Sequence, residues 1–410
     1  MTEARQGSAA APSAHGAGGP SPRDLLLCLS HLRWDFVFQR PQHLLTRAAQ
    51  QRDVVFLEEA VFLREAAAPR LDLRRVAAGI TVAVPHLPPG LDEIATAAAQ
   101  RTLLDDLLAQ SGMGDRRLIA WFYTPMALSF AAELAADLVV YDCMDELSLF
   151  RGAPPRMVEL ERRLLARADL VFTGGRSLYE AKRQRHRRVH CFPSSIDPAH
   201  FRAARERSQP EPTEMAGLRH PRIGFFGVVD ERMDLGLIAA LAQARPAWSF
   251  VMVGPVVKID PATLPQLRNL HWVGARRYEE LPAWLGSWDA GFMPFARNES
   301  TRFISPTKTP EFLAAGLPVV STPITDVVRD WGPEGADLVT IAADPEDMVR
   351  AIERMLVKEN PAAWLARVDA VLSRQSWDLT WRSMEQLIDA ALAGPAEAAA
   401  AIPVLLRSAP

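Results

Sequence analysis

Cysteine is scarce in this sequence, which has three among 410 residues: Cys28, Cys143 and Cys191. They are far apart, and each lies in or beside an apolar run. This spacing fits neither a disulfide framework nor the clustered ligands of a metal site. We therefore expect buried thiols in a reducing compartment.

Long apolar runs and an excess of one charge are also lacking. No apolar run approaches the ~20 residues needed to cross a bilayer, and the first residues lack the basic-then-apolar order of a signal peptide. The formal net charge of −3 argues against a nucleic-acid binder, which needs a basic surface. No repeat with a period of roughly 20–50 residues is visible, which argues against a solenoid. We expect a cytoplasmic protein that binds any anion through locally placed charges.

What the sequence does contain is a regular alternation of apolar runs and helical patterns. With 49% hydrophobic and 23% charged residues, it has the composition of a globular protein with ample core. Continuous apolar runs that alternate with helices predict parallel sheets covered on both faces. The predicted strands are 25–29, 54–57, 80–84, 118–122, 138–141, 170–172 and 189–192, then 223–227, 250–254, 271–274 and 290–294.

The length favours two domains, and the composition becomes polar and proline-containing between Asp197 and Pro221. We predict an α/β protein with two tandem, doubly wound domains and a cleft between them. The predicted divisions are a disordered tail at 1–21, domains at 22–205 and 220–375, a last amphipathic helix at 376–393 that packs back on the first domain, and an Ala/Pro tail at 394–410.

In open parallel sheets, ligands bind beyond the carboxyl ends of the strands. In the second domain this rule selects Gly227, Gly254 and Gly274, where glycine lets a bulky ligand approach the backbone. Arg232 follows Gly227 and could either fork onto a phosphate or lie in solvent. After Gly274 come Arg276 and Arg277, of which one could shape a pocket for a base while the other lies on the surface.

The most informative stretch runs from Ser305 to Thr322 and reads SPTKTPEFLAAGLPVVST. It predicts a helix that begins at Ser305 or at Thr309, followed by a short buried strand. Lys308 and Glu311 would share one face near the positive end of this helix. They could form an ordinary surface ion pair, or an anion site with a carboxylate that accepts a sugar diol.

In the first domain the strand-end rule selects a loop with aromatic and polar groups suited to a sugar acceptor. The selected residues are His31, Arg33, Trp34, Asp35, Thr124 and Asp142. Alternatives stay open: Trp34 could simply pack, Arg33 could pair with Asp35, and Asp142 could hold a loop. The acids from Asp142 to Glu146 have no histidine at ligand spacing, so we expect no metal. His43 is interpreted as structural.

Basic side chains cluster on helices of the first domain. Most such runs are solvated faces, although contact with a membrane surface is an alternative if the acceptor is a lipid-linked sugar. The residues are Arg162, Arg163, Arg167, Lys182, Arg183, Arg185, Arg187 and Arg188.

Taken together, the two domains and the SPTKTPEFLAAGLPVVST stretch resemble a GT-B glycosyltransferase of family 4, often called group 1. The resemblance covers roughly residues 24–392, and its specific part lies in the second domain. The segments RPQHL at 40–44 and YDCMDE at 141–146 also resemble signatures of one bacterial branch of that group.

This resemblance implies two Rossmann-like domains and a retaining transfer from a nucleotide-diphosphate sugar, without a required metal or other cofactor. Glu311 matches the glutamate that holds the nucleotide ribose. Lys308, Ser305, Thr307 and Arg232 fall where such enzymes face the diphosphate. Expected partners are a nucleotide sugar and a glycan or lipid-linked acceptor, with no nucleic acid.

One position departs from the pattern of the group. Many members carry a second glutamate eight positions before the ribose-binding one, and here that position is Phe303, while Glu299 is out of register. The identity of the sugar is therefore open. Two alternatives are a sugar-nucleotide epimerase and a non-catalytic nucleotide-sugar-binding protein, and an inverting enzyme would use His31 or Asp35 as base.

Overall fold

The computed structural model describes residues 23–112, 116–206, 210–357 and 361–394. The tails predicted at 1–21 and 394–410 lie outside these ranges, apart from Gly394. Within them, no helix is long and apolar enough to cross a membrane.

Nine strands of the described chain form the first sheet, in the order β3-β5-β2-β1-β6-β7-β8-β9 with β4 on β5. These strands are β1 Leu25–Leu29, β2 Asp53–Leu57, β3 Val61–Phe62, β4 Arg70–Ala77, β5 Ile80–Leu87, β6 Leu118–Phe122, β7 Leu138–Cys143, β8 Leu170–Thr173 and β9 Val189–Cys191. Side chains that alternate along β1 enter cores on opposite faces, since Leu27 belongs to one cluster and Cys28 to the other. This burial on both faces explains the continuous apolar runs.

The prediction of a purely parallel sheet is wrong at one strand. β4 pairs with β5 in antiparallel register, from Arg70 opposite His86 to Ala77 opposite Ile80. Its side chains are mostly exposed. It therefore lacks the apolar run by which the other strands of this domain were recognised.

Six helices of the described residues belong to this first half of the chain: α1 Arg40–Ala48, α2 Glu93–Gln110, α3 Leu128–Ala131, α4 Met157–Arg167, α5 Arg176–Lys182 and α6 Pro198–Arg202. Helix α2 has Asp92 as its N-cap, whose side chain accepts from the backbone N–H of Ala95 at 2.8 Å. Such a cap satisfies one of the free N–H groups of the first turn.

The second sheet is parallel, with strand order β12-β11-β10-β13-β14-β15. Its strands are β10 Arg222–Phe226, β11 Ser249–Val253, β12 Leu270–Gly274, β13 Ala290–Met293, β14 Val319–Ser321 and β15 Val339–Ile341. The remaining described helices are α7 Leu235–Ala244, α8 Leu281–Gly286, α9 Lys308–Ala314, α10 Thr325–Asp330, α11 Pro345–Leu356, α12 Pro361–Leu372 and α13 Trp377–Ala393. The molecule is thus an α/β protein with two doubly wound sheets.

The last helix, α13, returns to the first sheet. Trp377 and Trp381 are buried in the core cluster that also holds Trp121 of β6. At its far end, the Arg52 guanidinium binds Glu385 at 2.8 Å and Asp389 at 2.5 Å. The chain therefore crosses between the domains twice, which limits how far they can separate.

A polar interface between α5 and α10 also joins the two halves. The buried Asp326 carboxylate accepts from the Ser177 backbone N–H at 3.1 Å and from its hydroxyl. Beside it, Arg176 donates to Asp330 at 3.0 Å. These contacts hold the carboxyl ends of the two sets of strands face to face.

The three cysteines are free, with Cys28 and Cys143 buried and Cys191 half-buried. Burial raises the pKa of the Cys143 thiol to about 12. The prediction of buried thiols is confirmed for Cys28 and Cys143.

Several of the basic side chains that suggested a charged face are paired. Lys182 is buried and binds Glu146 and Glu161, each at 2.6 Å, and Arg185 binds Glu161 at 2.8 Å. Contact with a membrane surface remains a prediction.

Candidate active site in the cleft between the domains

A cleft of about 810 Å³ opens between the carboxyl ends of the two sheets. One wall is the loop that runs from Trp34 to His43 in the first domain. The opposite wall includes Gly227, Gly254, Tyr278, Lys308 and Glu311 of the second domain.

Glycines at two neighbouring strand ends let the backbone of the second wall pack tightly. Gly227 has φ 135° and Gly254 has φ 148°. A Cβ on Gly254 would lie 1.8 Å from the Gly227 carbonyl oxygen, and one on Gly227 would lie 2.6 Å from Cε of Lys308. Glycine is therefore required at both positions, and it allows the Lys308 stem to lie directly against the backbone.

Gly274, the third glycine selected from the sequence, differs from the other two. It has φ 81° and no atom within 4 Å of an added Cβ. Its carbonyl accepts from the Gly254 N–H at 2.9 Å. Gly274 does not line the cleft, whereas Ala275, Arg276 and Arg277, which follow it, do.

The helix that carries Lys308 and Glu311 starts between the two predicted positions. α9 begins at Lys308, after Thr307, which has helical φ and ψ and makes no side-chain cap. Pro310 is the third residue, where a missing N–H costs nothing because first-turn N–H groups have no helical partner. Both predicted starts, Ser305 and Thr309, are therefore wrong.

Lys308 is half-buried and has no carboxylate at ion-pair distance among the described residues. Its ammonium donates to the Thr307 hydroxyl at 3.2 Å and lies 5.7 Å from the ring centroid of Phe226. Burial lowers the pKa of Lys308, and the nearby Glu311 carboxylate opposes this shift. A half-buried cation without an ionic partner, in the wall of a cleft, is suited to bind an anion.

Glu311 is 6% exposed, and its Oε2 has no hydrogen-bond partner. Burial raises the pKa of Glu311 to about 7, against the opposing effect of Lys308. Buried carboxylate oxygens are normally hydrogen-bonded, so an orphaned one that faces a cleft is suited to accept a hydrogen bond from a ligand hydroxyl.

Tyr278 contributes a second orphaned polar group that sequence reasoning missed. Its hydroxyl is buried without a partner, and its ring stacks between Phe38 at 4.6 Å and His200 at 4.0 Å. The signal available in the sequence was its position four residues beyond Gly274, at the end of a strand.

Arg232 enters a smaller cavity of about 110 Å³ that also holds Ser305, Thr307 and Lys308. Its guanidinium is bound by Asp230, with Nη2 at 2.8 Å. The structure thus brings Arg232 next to Lys308 as predicted, but the Arg232 guanidinium is already paired with Asp230.

The two arginines after Gly274 differ as the sequence suggested. Arg276 binds Glu214 at 2.6 Å and lies over the Trp284 ring at 5.2 Å. Arg277 is 79% exposed in its side chain and pairs with Glu280 at 3.1 Å. Arg276 is therefore the one fixed in the wall of the cleft.

In the first domain, Arg33 and Trp34 are fixed by a distant glutamate. Arg33 donates to Glu58 Oε2 at 2.9 Å and to the Glu59 carbonyl at 2.7 Å. The backbone N–H of Trp34 donates to Glu58 Oε1 at 2.8 Å. The Trp34 ring packs edge-on against Phe56, with 5.2 Å between the ring centroids. Trp34 lines the cleft, whereas Arg33 is absent from its lining and anchors the loop.

The two residues predicted as bases lie in different surroundings. Asp35 is at the cleft but is exposed and paired with Arg74. Burial lowers the pKa of His31 to about 4, and its Nδ1 has no partner. His31 is not among the residues that line the cleft.

Thr124 and Asp142 do not face the cleft, which corrects their prediction as acceptor contacts. Thr124 is buried, accepts from the Met126 N–H at 3.3 Å and lines a separate pocket of about 270 Å³. Asp142 is fully buried and holds Arg40 through Nε at 2.9 Å and Nη2 at 2.8 Å. The alternative in which Asp142 holds a loop is the one that this geometry supports.

Phe303, which replaces the second glutamate of the group pattern, packs against the core of the first domain. Glu299 is 71% exposed in its side chain and lies 3.6 Å from Arg302. Neither residue lines the cleft.

Comparisons with known proteins agree with this architecture. Residues 220–358 match the family described as "Glycosyl transferases group 1". The putative teichuronic acid biosynthesis glycosyltransferase TuaH of Bacillus subtilis (strain 168) is 26% identical over 300 residues, which cover 69% of this chain and 74% of that protein.

Solved structures share the fold at low identity. Sucrose-phosphate synthase from Thermosynechococcus elongatus superposes with a TM-score of 0.67 at 14% identity, covering 90% of this chain and 100% of that one. A structure described as "Trehalose-6-phosphate from E. coli bound with UDP-2-fluoro glucose" gives 0.64 at 14% identity, covering 91% and 100%. The two doubly wound domains thus have the GT-B fold of these solved structures, and the second domain matches the group 1 glycosyltransferase family over residues 220–358.

Proposed function

We propose that the protein transfers a hexose from a nucleotide-diphosphate sugar to a glycan or lipid-linked acceptor during synthesis of a bacterial cell-envelope polysaccharide. The observation that carries this proposal is the pair formed by Lys308 and Glu311. Among the described residues, the half-buried ammonium has no ionic partner and the buried carboxylate has a free oxygen, and the two lie three residues apart in one cleft. They suit the diphosphate and the ribose diol of one ligand. The name of the TuaH relative supports the cell-envelope setting.

In the proposed reaction, the bond between the anomeric carbon and the diphosphate oxygen breaks, and the electron pair leaves with the nucleoside diphosphate. The acceptor hydroxyl forms the new bond, and its proton passes to the departing phosphate oxygen. Negative charge grows on that oxygen, so the fixed Lys308 ammonium lowers the barrier most. Closure of the domains excludes water and limits donor hydrolysis.

Retention of configuration and independence from a metal belong to this proposal through the resemblance of the 305–322 stretch to the group. In a retaining reaction the acceptor approaches on the same face as the leaving phosphate. That approach requires no base on the opposite side of the sugar, which is compatible with the paired state of Asp35.

A panel of nucleotide sugars tested for thermal stabilisation identifies the donor, because a ligand of the folded state raises its melting temperature. We expect stabilisation by nucleotide sugars of one base, and nucleoside diphosphate release once a cell-envelope glycan or lipid extract is added. Conversion of the nucleotide sugar to its epimer without any acceptor, and without net release of nucleoside diphosphate, would instead support an epimerase.

A further inference from the structure

The small cavity behind the main cleft is where the two domains meet around Lys308. It is lined from the second domain by Arg232, Ser305, Thr307 and Lys308, and from the first domain by the turn that follows β7. Asp145 lies in this turn. Among the described residues that line the cavity, it is the only carboxylate.

The neighbouring acids of the same turn already have ionic partners. Asp142 holds Arg40 at 2.8 Å, and Glu146 binds Lys182 at 2.6 Å. The Asp145 carboxylate makes no hydrogen bond or ion pair with any residue in the described ranges, although Arg232, Lys258 and Lys308 attract it electrostatically. Its capacity to accept hydrogen bonds is therefore unused.

The charges around Asp145 limit what it can bind. Burial raises the pKa of Asp145, while the cations opposite oppose this shift and favour the ionised form. A carboxylate repels a diphosphate held by Lys308, but it accepts a hydrogen bond from a hydroxyl that lies beside that diphosphate. A hydroxyl that attacks the anomeric carbon becomes more acidic as the bond forms, so this hydrogen bond strengthens in the transition state.

We propose that Asp145 is the group of the first domain that binds and orients the attacking hydroxyl of the acceptor. This inference rests on the proposed function and places the contact to the reacting hydroxyl at Asp145 instead of Asp35 or His31. Asp145 accepts the hydrogen bond and takes the proton as the new bond forms. It then passes this proton to the departing phosphate oxygen, so that the carboxylate is regenerated and the overall proton balance is that given above.

The test combines binding and turnover in the full-length protein. Removing the negative charge with Asp145→Asn should tighten binding of UDP, GDP or ADP, whichever the wild type binds, by about threefold or more in calorimetry. Binding of the matching nucleotide sugar should tighten equally. Transfer to the extract that serves the wild type should fall about 100-fold. Asp145→Ala provides a second variant, and Asp105→Asn, a surface change on α2, should alter none of these values.

Each other outcome overturns the inference. Transfer within threefold of the wild type, or diphosphate affinity that is unchanged or weaker, removes Asp145 from the reacting hydroxyl. Tighter diphosphate binding with weaker nucleotide-sugar binding would make Asp145 a contact to the donor sugar. A wild-type protein that binds none of the three diphosphates would refute the proposed function itself, and the inference with it.

Discussion

The two walls of the cleft are built by different means. In the second domain, Gly227 and Gly254 bring strand ends together, and Lys308 and Glu311 lie on one short helix without ionic partners. In the first domain, the polar side chains that the strand-end rule selected are mostly neutralised by residues far along the chain. Arg33 binds Glu58 and the buried Asp142 binds Arg40, 102 residues away.

This difference distinguishes side chains that are available to bind a ligand from side chains that stabilise the fold. A charged side chain already held by a buried partner cannot be recruited by a ligand without breaking that pair, which is strongly unfavourable. The unpaired groups of the second wall are free to bind. We therefore expect loss of a buried, paired charge in the first domain to alter stability, and loss of the Lys308 or Glu311 charge in the second wall to alter ligand affinity.

Among substitutions in the first domain, Asp142→Ala is expected to destabilise the protein most. It leaves the Arg40 guanidinium buried without a counterion, and we expect the free energy of unfolding to fall by about 3–5 kcal/mol in urea titration. The exposed pair formed by Asp35 and Arg74 provides the control, since Asp35→Ala should cost less than about 1 kcal/mol. Similar losses of unfolding free energy for Asp142→Ala and Asp35→Ala would contradict the distinction between the buried pair and the exposed pair.

A backbone change tests the second wall. Gly254→Ala introduces a Cβ 1.8 Å from the Gly227 carbonyl at φ 148°, and we expect a loss of about 3 kcal/mol in unfolding free energy. Gly274 also has a positive φ, but a Cβ added there meets no atom within 4 Å. Gly274→Ala should therefore lower the free energy of unfolding by only about 1 kcal/mol. If the two variants were equally stable, the close approach of these strand ends would not be required.

The pH dependence of nucleoside diphosphate binding tests the role of Glu311 in the second wall, because its pKa is raised to about 7. If the ionised form accepts the ribose hydroxyls, nucleoside diphosphate affinity should fall as pH drops below 7, by up to about tenfold per unit. Calorimetry between pH 5.5 and 8.5 measures this, with Glu311→Gln as the variant that should bind more weakly and without this slope. A slope that persisted in Glu311→Gln would assign the titration to another group.

The same carboxylate links pH to stability. Because the pKa of Glu311 in the folded protein lies above its ordinary value of 4.5, the folded state binds more protons between pH 4.5 and 7. This contribution to stability is complete below pH 4.5 and is lost as pH rises through 7. The unfolding free energy of Glu311→Gln, compared with the wild type across this range, should lack that decline.

The smallest effect is expected for Asp35→Asn. Its carboxylate is exposed and paired with Arg74, so nucleotide release should remain within about twofold of the wild-type rate. A loss as large as that expected for Asp145→Asn would restore Asp35 as the base and contradict the assignment of the reacting hydroxyl.

The sequence predicts the strands and helices best where burial on both faces leaves a continuous apolar run. The strands at 25–29 and 118–122 have the predicted bounds. β4 was missed because its exposed side chains form no such run, and the short strands β3 and β15 were missed as well. The start of α9 was misplaced because Ser305 and Pro306 resemble a cap that the chain does not use.

For the site, the strand-end rule found the right loops but could not decide which side chains are free. Pairing depends on contacts between residues far apart in the chain, such as Arg40 with Asp142. The local spacing of Lys308 and Glu311 was readable because both lie in one helical turn. Asp145 was missed because the strand-end rule selected only Asp142 from this turn, and the acids from Asp142 to Glu146 were otherwise considered only as metal ligands.

The central claim is that Lys308 binds the diphosphate of the donor. The most direct measurement compares the affinities of a nucleoside diphosphate and its monophosphate, in the wild type and in Lys308→Ala, by calorimetry. The account predicts that the diphosphate loses about 100-fold in affinity while the monophosphate loses much less, so that the advantage of the second phosphate disappears. An unchanged advantage of the diphosphate over the monophosphate in Lys308→Ala would contradict it.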